Sequence, residues 1–214
     1  MAHRRDHYDR AFEGFLRARR IPYVAVDEAR KTLLPRAGAQ DADPALKSFD
    51  FVIYGEAGNL LVDVKGRRVS GRGTRLESWV TLDDVESLGR WEALFGAGFE
   101  ATFVFMYWWM EQPADALFEE VVAHQGQWYA LRSVRVGDYA RVMKQRSARW
   151  RTVDVPMREF VRISHPFVGQ AFGAGSAAAS GAYHLRGSAD IGPEAPALAS
   201  WAAAPESVIG GWSR

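Results

Sequence analysis

The chain has 214 residues, 48% hydrophobic and 25% charged, with a formal net charge of +1 and no cysteine. That length suits one domain with a proper core, and that composition is ordinary for a soluble globular protein. The missing cysteines exclude disulfides, thiolate zinc sites and cysteine nucleophiles. The polar start, MAHRRDHYDR, does not read as a secretory leader, and the longest apolar run, Phe103 to Met110, is too short to span a bilayer. The expected location is cytoplasmic, with no membrane contact.

Residues 6–20 read as a helix. Tyr8, Phe12, Phe15 and Leu16 fall at helical spacing. Asp6 suits the N-cap, Asp9 suits the first turn, and Ile21-Pro22 ends the run. Pro22–Asp27 alternates and reads as a strand. Residues 28–46 read as a loop, basic at Arg30, Lys31 and Arg36.

Lys47–Arg68 reads as a β-hairpin around the loop Gly55–Gly58. Sorted by parity, one face carries Phe49, Phe51, Ile53, Leu60, Val62 and Val64, and is wholly apolar. The other carries Ser48, Asp50, Val52, Tyr54, Leu61, Asp63 and Lys65. If Tyr54 pairs with Asn59, Asp50 falls opposite Asp63. Directly opposed side chains have Cβ atoms about 5 Å apart, so these carboxylates repel unless a cation lies between them. Lys65 follows on the same face, about 7 Å along the strand. A purely structural hairpin has little reason to accept that cost. Opposed carboxylates suit Mg²⁺ (or Mn²⁺), which also takes phosphate oxygens. An ammonium beside them suits an attacking water or the charge growing on a phosphate undergoing displacement.

After Lys65 come Gly66, Arg67, Arg68, Gly71, Arg72, Gly73 and Arg75, read as a mobile loop beside the site. Residues 81–95 read as a helix opened by Thr81 with Asp83 and Asp84, buried at Val85, Leu88, Leu94 and Phe95, and stopped by Gly96. Phe99–Trp108 reads as a continuous apolar strand, as expected for one covered on both faces; Trp108 and Trp109 suit core packing better than base stacking. Glu119–His124 and Gln127–Val136 read as strands, Asp138–Lys144 as a short basic helix, Arg146–Arg151 as a basic loop containing Trp150, and Pro156–Ile163 as a last helix. From Gly169 to the end, 13 Ala and 8 Gly fall among 46 residues without period. This predicts a domain over 1–168 and a disordered tail over 169–214.

The order Asp50, then Asp63-Val64-Lys65, on a hairpin resembles the PD-(D/E)xK nuclease superfamily. Phe49 stands where that pattern has Pro, and Asp63 where it often has Glu. The order helix, three strands, helix, strand over residues 7–109 also resembles that superfamily. The resemblance implies an α/β fold with a restriction-endonuclease-like αβββαβ core, a mixed central sheet flanked by helices. It implies a divalent-metal-dependent nuclease acting on DNA, with Asp50, Asp63 and the Val64 carbonyl on Mg²⁺ and Lys65 assisting water. Resolvases of this type draw a further acid from the preceding helix, and Glu13 is the candidate. They cut two strands, which implies a homodimer. The small size favours structure-specific or repair-type cleavage, and RecB-type Gln and Tyr spacing is absent. His7-Tyr8-Asp9-Arg10-Ala11-Phe12-Glu13 also resembles the signature of a bacterial family named for its His-Tyr-Glu-x-Ala-Phe-Glu motif, with Asp9 in place of a Glu; that name implies no activity.

Charge is segregated along the chain. Lys65–Arg75 has five bases and no acid, Arg132–Arg151 has seven bases against Asp138, and Glu77–Glu120 has ten acids against Arg90. Basic patches favour a polyanion. The expected nucleic-acid contacts are Arg67, Arg68, Arg72, Arg75, Arg146, Arg149 and Arg151. The alternative is a non-catalytic nucleic-acid-binding module on the same fold; a metal-dependent enzyme of small phosphate esters is a third. The five histidines lack metal-ligand spacing, there is no G-x-S-x-G or Walker loop, and no nucleotide cofactor is expected.

Overall fold

A strand that is apolar at every position must be buried from both sides. Phe103–Trp109, within the strand Phe99–Trp109, is such a stretch, and the computed structural model shows Ala101 and Phe103–Tyr107 with no exposed surface. The structure describes residues 6–26, 46–56, 58–69, 76–113 and 120–172. In chain order these give α1 (Asp6–Ala18), β1 (Tyr23–Ala25), β2 (Phe51–Tyr54), β3 (Asn59–Arg68), β4 (Val80–Thr81), α2 (Leu82–Phe95) and β5 (Phe99–Trp109). There follow β6 (Val121–His124), β7 (Gln127–Arg135), α3 (Val136–Val142), β8 (Lys144–Ser147), β9 (Thr152–Asp154), α4 (Met157–Ile163) and α5 (Phe167–Phe172).

The architecture is mixed α/β. One sheet has six strands in the order β1-β2-β3-β5-β7-β6. β3 and β5 are parallel and the other pairs antiparallel. The parallel pair needs a crossover, which α2 provides. On one face Ala11, Phe12, Phe15 and Leu16 of α1 pack with Phe167 and Val168 of α5 against Phe51, Ile53, Leu60, Val62, Val104 and Met106. On the other, Val85 and Leu88 of α2, Tyr139 of α3 and Phe160 of α4 pack against Leu61, Phe103 and Phe105. A second sheet, β4-β9-β8, joins that side. No helix among the described residues is long and apolar enough to cross a membrane.

The hairpin has the expected register, Tyr54 opposite Asn59 and Phe51 opposite Val62. Other details depart from expectation. Phe49 packs on Trp91 and Phe95, on the α2 side, apart from Phe51 and Ile53. The chain bends at Asp50, so strand parity does not extend back past it. α2 has its capping box, with Thr81 and Asp84 exchanging hydrogen bonds, but Leu94 is 67% and Phe95 40% exposed. Gly66–Arg68 belongs to β3 rather than to a loop, because Arg67 and Arg68 pair in register with Tyr107 and Trp108. The basic helix lies earlier than expected, Val136–Val142, and Lys144 and Arg146 are in β8. Helical structure runs to Phe172; the remainder of the predicted tail, residues 173–214, and most of the 28–46 loop lie outside the described residues.

Glu120 is only 4% exposed and accepts hydrogen bonds from the backbone N–H groups of Phe167 (2.7 Å) and Val168 (2.9 Å). It ties the start of α5 to the body of the domain. Glu120→Ala would leave those buried donors unsatisfied, and is expected to lower stability by about 2 kcal/mol, read from the urea midpoint.

Candidate active site

Asp50 and Asp63 meet because the hairpin register places them opposite each other on the α2 side of the sheet. The Asp50 backbone N–H donates to the Val62 carbonyl at 2.8 Å, which extends the β2–β3 pairing one residue beyond β2. The Asp50 side chain turns onto β3, where its Oδ2 accepts from the Val64 N–H at 2.6 Å. Asp63 is 9% exposed and hydrogen-bonds Asp50. Two carboxyls so placed titrate as a pair and resist double ionisation. Burial, then the charge of Asp63, then that of Asp9, push the Asp50 carboxyl up to about 8. Burial likewise raises Asp63, against the pull of Lys65.

Lys65 closes the group. Its Nζ lies 2.5 Å from Asp63 Oδ2, 3.2 Å from Asp84 Oδ2 and 5.8 Å from the centre of the Phe103 ring. Burial pulls its pKa down, but Asp63 and Asp84 more than offset this and hold the ammonium charged. Asp84 comes from the first turn of α2. Its Oδ2 accepts from the Thr81 N–H at 3.0 Å and its Oδ1 from Lys47 Nζ at 2.9 Å. Burial raises it, yet Lys65, Thr81 and Lys47 together keep its carboxyl well below the usual range.

The two acids of α1 have different surroundings. Glu13 Oε1 is held by Arg17 Nη2 at 2.6 Å and by the Tyr23 hydroxyl at 2.7 Å, and its pKa is lowered chiefly by that tyrosine. Asp9, one turn earlier on the same helix, is the α1 carboxylate whose charge acts on Asp50. Asp9 and Asp84 are the residues that sequence reasoning assigned to helix ends and not to the site. Sequence reasoning named Glu13 alone, although the i, i+4 spacing puts Asp9 on the same helix face.

The predicted basic contacts separate into groups. Arg67 points inward: its guanidinium donates to the Gly66 and Trp79 carbonyls and lies 4.1 Å from the centre of the Trp79 ring. It is committed to the fold, which removes it from the expected phosphate contacts. Arg151 reaches Asp83 at 3.0 Å and Glu86 at 3.6 Å on α2. Arg68, Arg146 and Arg149 are exposed and lie over Trp108, Trp79 and Trp150 respectively. Arg72 and Arg75 lie outside the described residues.

Among the described residues no group of three or more His, Asp or Glu is arranged to hold a metal ion. Mg²⁺ needs less than that, since it is bound by one or two carboxylates, with water and phosphate oxygens completing the shell. Two desolvated carboxyls set against each other are a donor set that such a cation fits.

No family model matches the chain, and no curated protein matches it. Among solved structures it is similar to Hjc, a Holliday junction resolvase from the archaeal hyperthermophile Archaeoglobus fulgidus, with a TM-score of 0.46 and 16% identity over 78% of this chain and 98% of that one.

Proposed function

We propose that this protein is a divalent-metal-dependent nuclease that hydrolyses phosphodiester bonds in DNA. In this reading α1, β1, β2, β3, α2 and β5 are the αβββαβ core of the PD-(D/E)xK superfamily. The observation that carries the proposal is the pairing of half-buried Asp50 with buried Asp63, with the Lys65 ammonium 2.5 Å from Asp63. Desolvating two like charges against each other destabilises a fold, and an apolar pair would serve the sheet better. The arrangement makes sense where a cation and a phosphate complete it.

Asp50 and Asp63, with the Val64 carbonyl, would hold Mg²⁺ or Mn²⁺. Asp9 is preferred to Glu13 as the acid from α1, because its charge acts on Asp50. When bound, such a cation lowers the pKa of a water and offsets charge on the phosphate. The chain's own contribution is placement. Lys65 donates N–H groups toward the attacking water or a phosphate oxygen, and the Phe103 ring beneath it limits its movement. Arg68, Arg146 and Arg149 are the exposed cations that would follow a phosphate strand. Replacing both Arg146 and Arg149 by Ala is expected to lower the slope of log K against log salt for duplex binding by about 2. Cutting two strands of a branched substrate would need a second copy of the chain.

The test is a set of labelled single-stranded, duplex, flap and four-way-junction DNAs incubated with chelator, Ca²⁺, Mg²⁺ or Mn²⁺. Cleavage in Mg²⁺ or Mn²⁺, absent with chelator, is expected, and the preferred substrate would identify the DNA structure. Tight, salt-sensitive binding with no cleavage in any metal would replace the proposal with a non-catalytic DNA-binding module.

A further inference from the structure

We propose that Asp84 is a positioning residue that draws the Lys65 ammonium away from Asp63, so that the Asp63 carboxylate can take a divalent cation. This rests on the metal-dependent reading above. Lys65 is shared between carboxylates on different elements, 2.5 Å from Asp63 on β3 and 3.2 Å from Asp84 on α2. An ammonium has three N–H donors and can hold both. A cation at Asp63 occupies the same lone pairs and repels the same ammonium. A buried lysine with one anionic partner would then either block the cation or lose its own compensation. Asp84 is the second partner that removes this conflict.

Asp84 is fixed for the task from several directions. Its N–H donates to Thr81 Oγ1 at 3.1 Å, and its Oδ2 accepts from the Thr81 N–H. Its Oδ1 accepts from Lys47 Nζ, which also donates to Thr81 Oγ1 at 2.9 Å. The Lys47 backbone is in turn held by Ser87 Oγ at 3.2 Å and Trp91 Nε1 at 2.8 Å. The carboxylate therefore cannot follow Lys65 if the ammonium moves toward Asp63. A helix cap needs an acceptor for the Thr81 N–H but no charge. An Asn would cap equally well, and this separates the structural role from the positioning one.

The experiment is Mn²⁺ binding, followed by electron paramagnetic resonance of the free ion, without DNA. The proteins are wild type, Asp84→Asn, Lys65→Ala, the double variant Lys65→Ala/Asp84→Asn, and Thr81→Ala, each with its melting temperature. Asp84→Asn is expected to bind about 10-fold more weakly, as outer partners of metal ligands do. Lys65→Ala should bind at least as tightly as wild type, and adding Asp84→Asn to it should change nothing. Thr81→Ala, which weakens the cap but keeps the Asp84 charge, should melt earlier and bind Mn²⁺ as wild type does. An equal loss from Asp84→Asn with and without Lys65 would assign the effect to a general field and overturn the inference. So would unchanged binding in Asp84→Asn, or a matching loss in Thr81→Ala. If Asp84→Asn fails to fold on its own, the Thr81→Ala and Lys65→Ala arms still decide the matter: weakened binding in either overturns it. Wild-type protein without saturable Mn²⁺ binding would overturn the metal-dependent reading itself, and this inference with it.

Discussion

Asp50→Asn is expected to lower the single-turnover cleavage rate by about 10³-fold while raising the stability of the fold. The rate loss follows from the proposed role: removing one charged group that faces a transition state typically costs that much. The stability gain follows from the geometry. Asp50 is half-buried beside Asp63, and its carboxyl is pushed up to about 8 by desolvation and by the charge of Asp63. An amide reproduces the protonated acid. Its oxygen can accept from the Val64 N–H and its NH₂ can donate to Asp63, without the repulsion. A gain of about 1 kcal/mol is expected in the guanidinium midpoint, as is common when a strained functional site is relaxed. A protein that is inactive and also less stable would mean that Asp50 is a structural residue whose loss merely unfolds the site.

Gly66→Ala is expected to be the most damaging single substitution in β3. A Cβ built on Gly66 would lie no more than 2.5 Å from Cδ2, Cε2 and Cγ of the Tyr8 ring, deep in van der Waals overlap. Tyr8 has little room to yield: the His7 ring centre is 3.9 Å from its own and the Tyr129 ring stands against it at 6.0 Å. Overpacking of this severity costs about 3 kcal/mol. The clash also pushes α1 off the sheet next to Asp9, so cleavage should fall further than stability alone explains. Combining Gly66→Ala with Tyr8→Ala should cost less than the sum of the two, because Tyr8→Ala removes the ring atoms that the new Cβ meets and the Cβ fills part of the space they leave. Strict additivity in thermal denaturation would show that Tyr8 does not set the limit at Gly66.

The hairpin was legible because its information is local. A four-residue loop and period-2 alternation fix Tyr54 against Asn59, and that pairing alone carries Asp50 to Asp63. Thr81, Asp84 and Gly96 likewise mark both ends of α2 through backbone chemistry that needs no tertiary partner. What stayed hidden depends on packing between distant elements. Asp84 reads as a cap, and its contact with Lys65 exists only once α2 docks beside β3. Asp9 and Glu13 share a helix face, and the contact of Tyr23 with Glu13 and the charge of Asp9 on Asp50 appear only once the elements pack. Arg67 sits in a run of glycines and arginines that reads as a loop. The partner that overrides that reading is the long β5, whose register with β3 continues to Trp108. Phe49 was misplaced for the opposite reason: the bend at Asp50 that aims the carboxyl at β3 breaks the alternation just before it.

The central claim is that Asp50, Asp63 and Lys65 form a metal-dependent phosphodiesterase site. Its most direct test is single-turnover cleavage of the preferred labelled DNA in Mg²⁺ by wild type, Asp63→Asn and Lys65→Ala, each shown to be folded and to bind that DNA. Cleavage by wild type alone, with binding retained in all three, is the predicted result. Cleavage that survives either substitution, or wild-type protein that binds but never cuts, would contradict it.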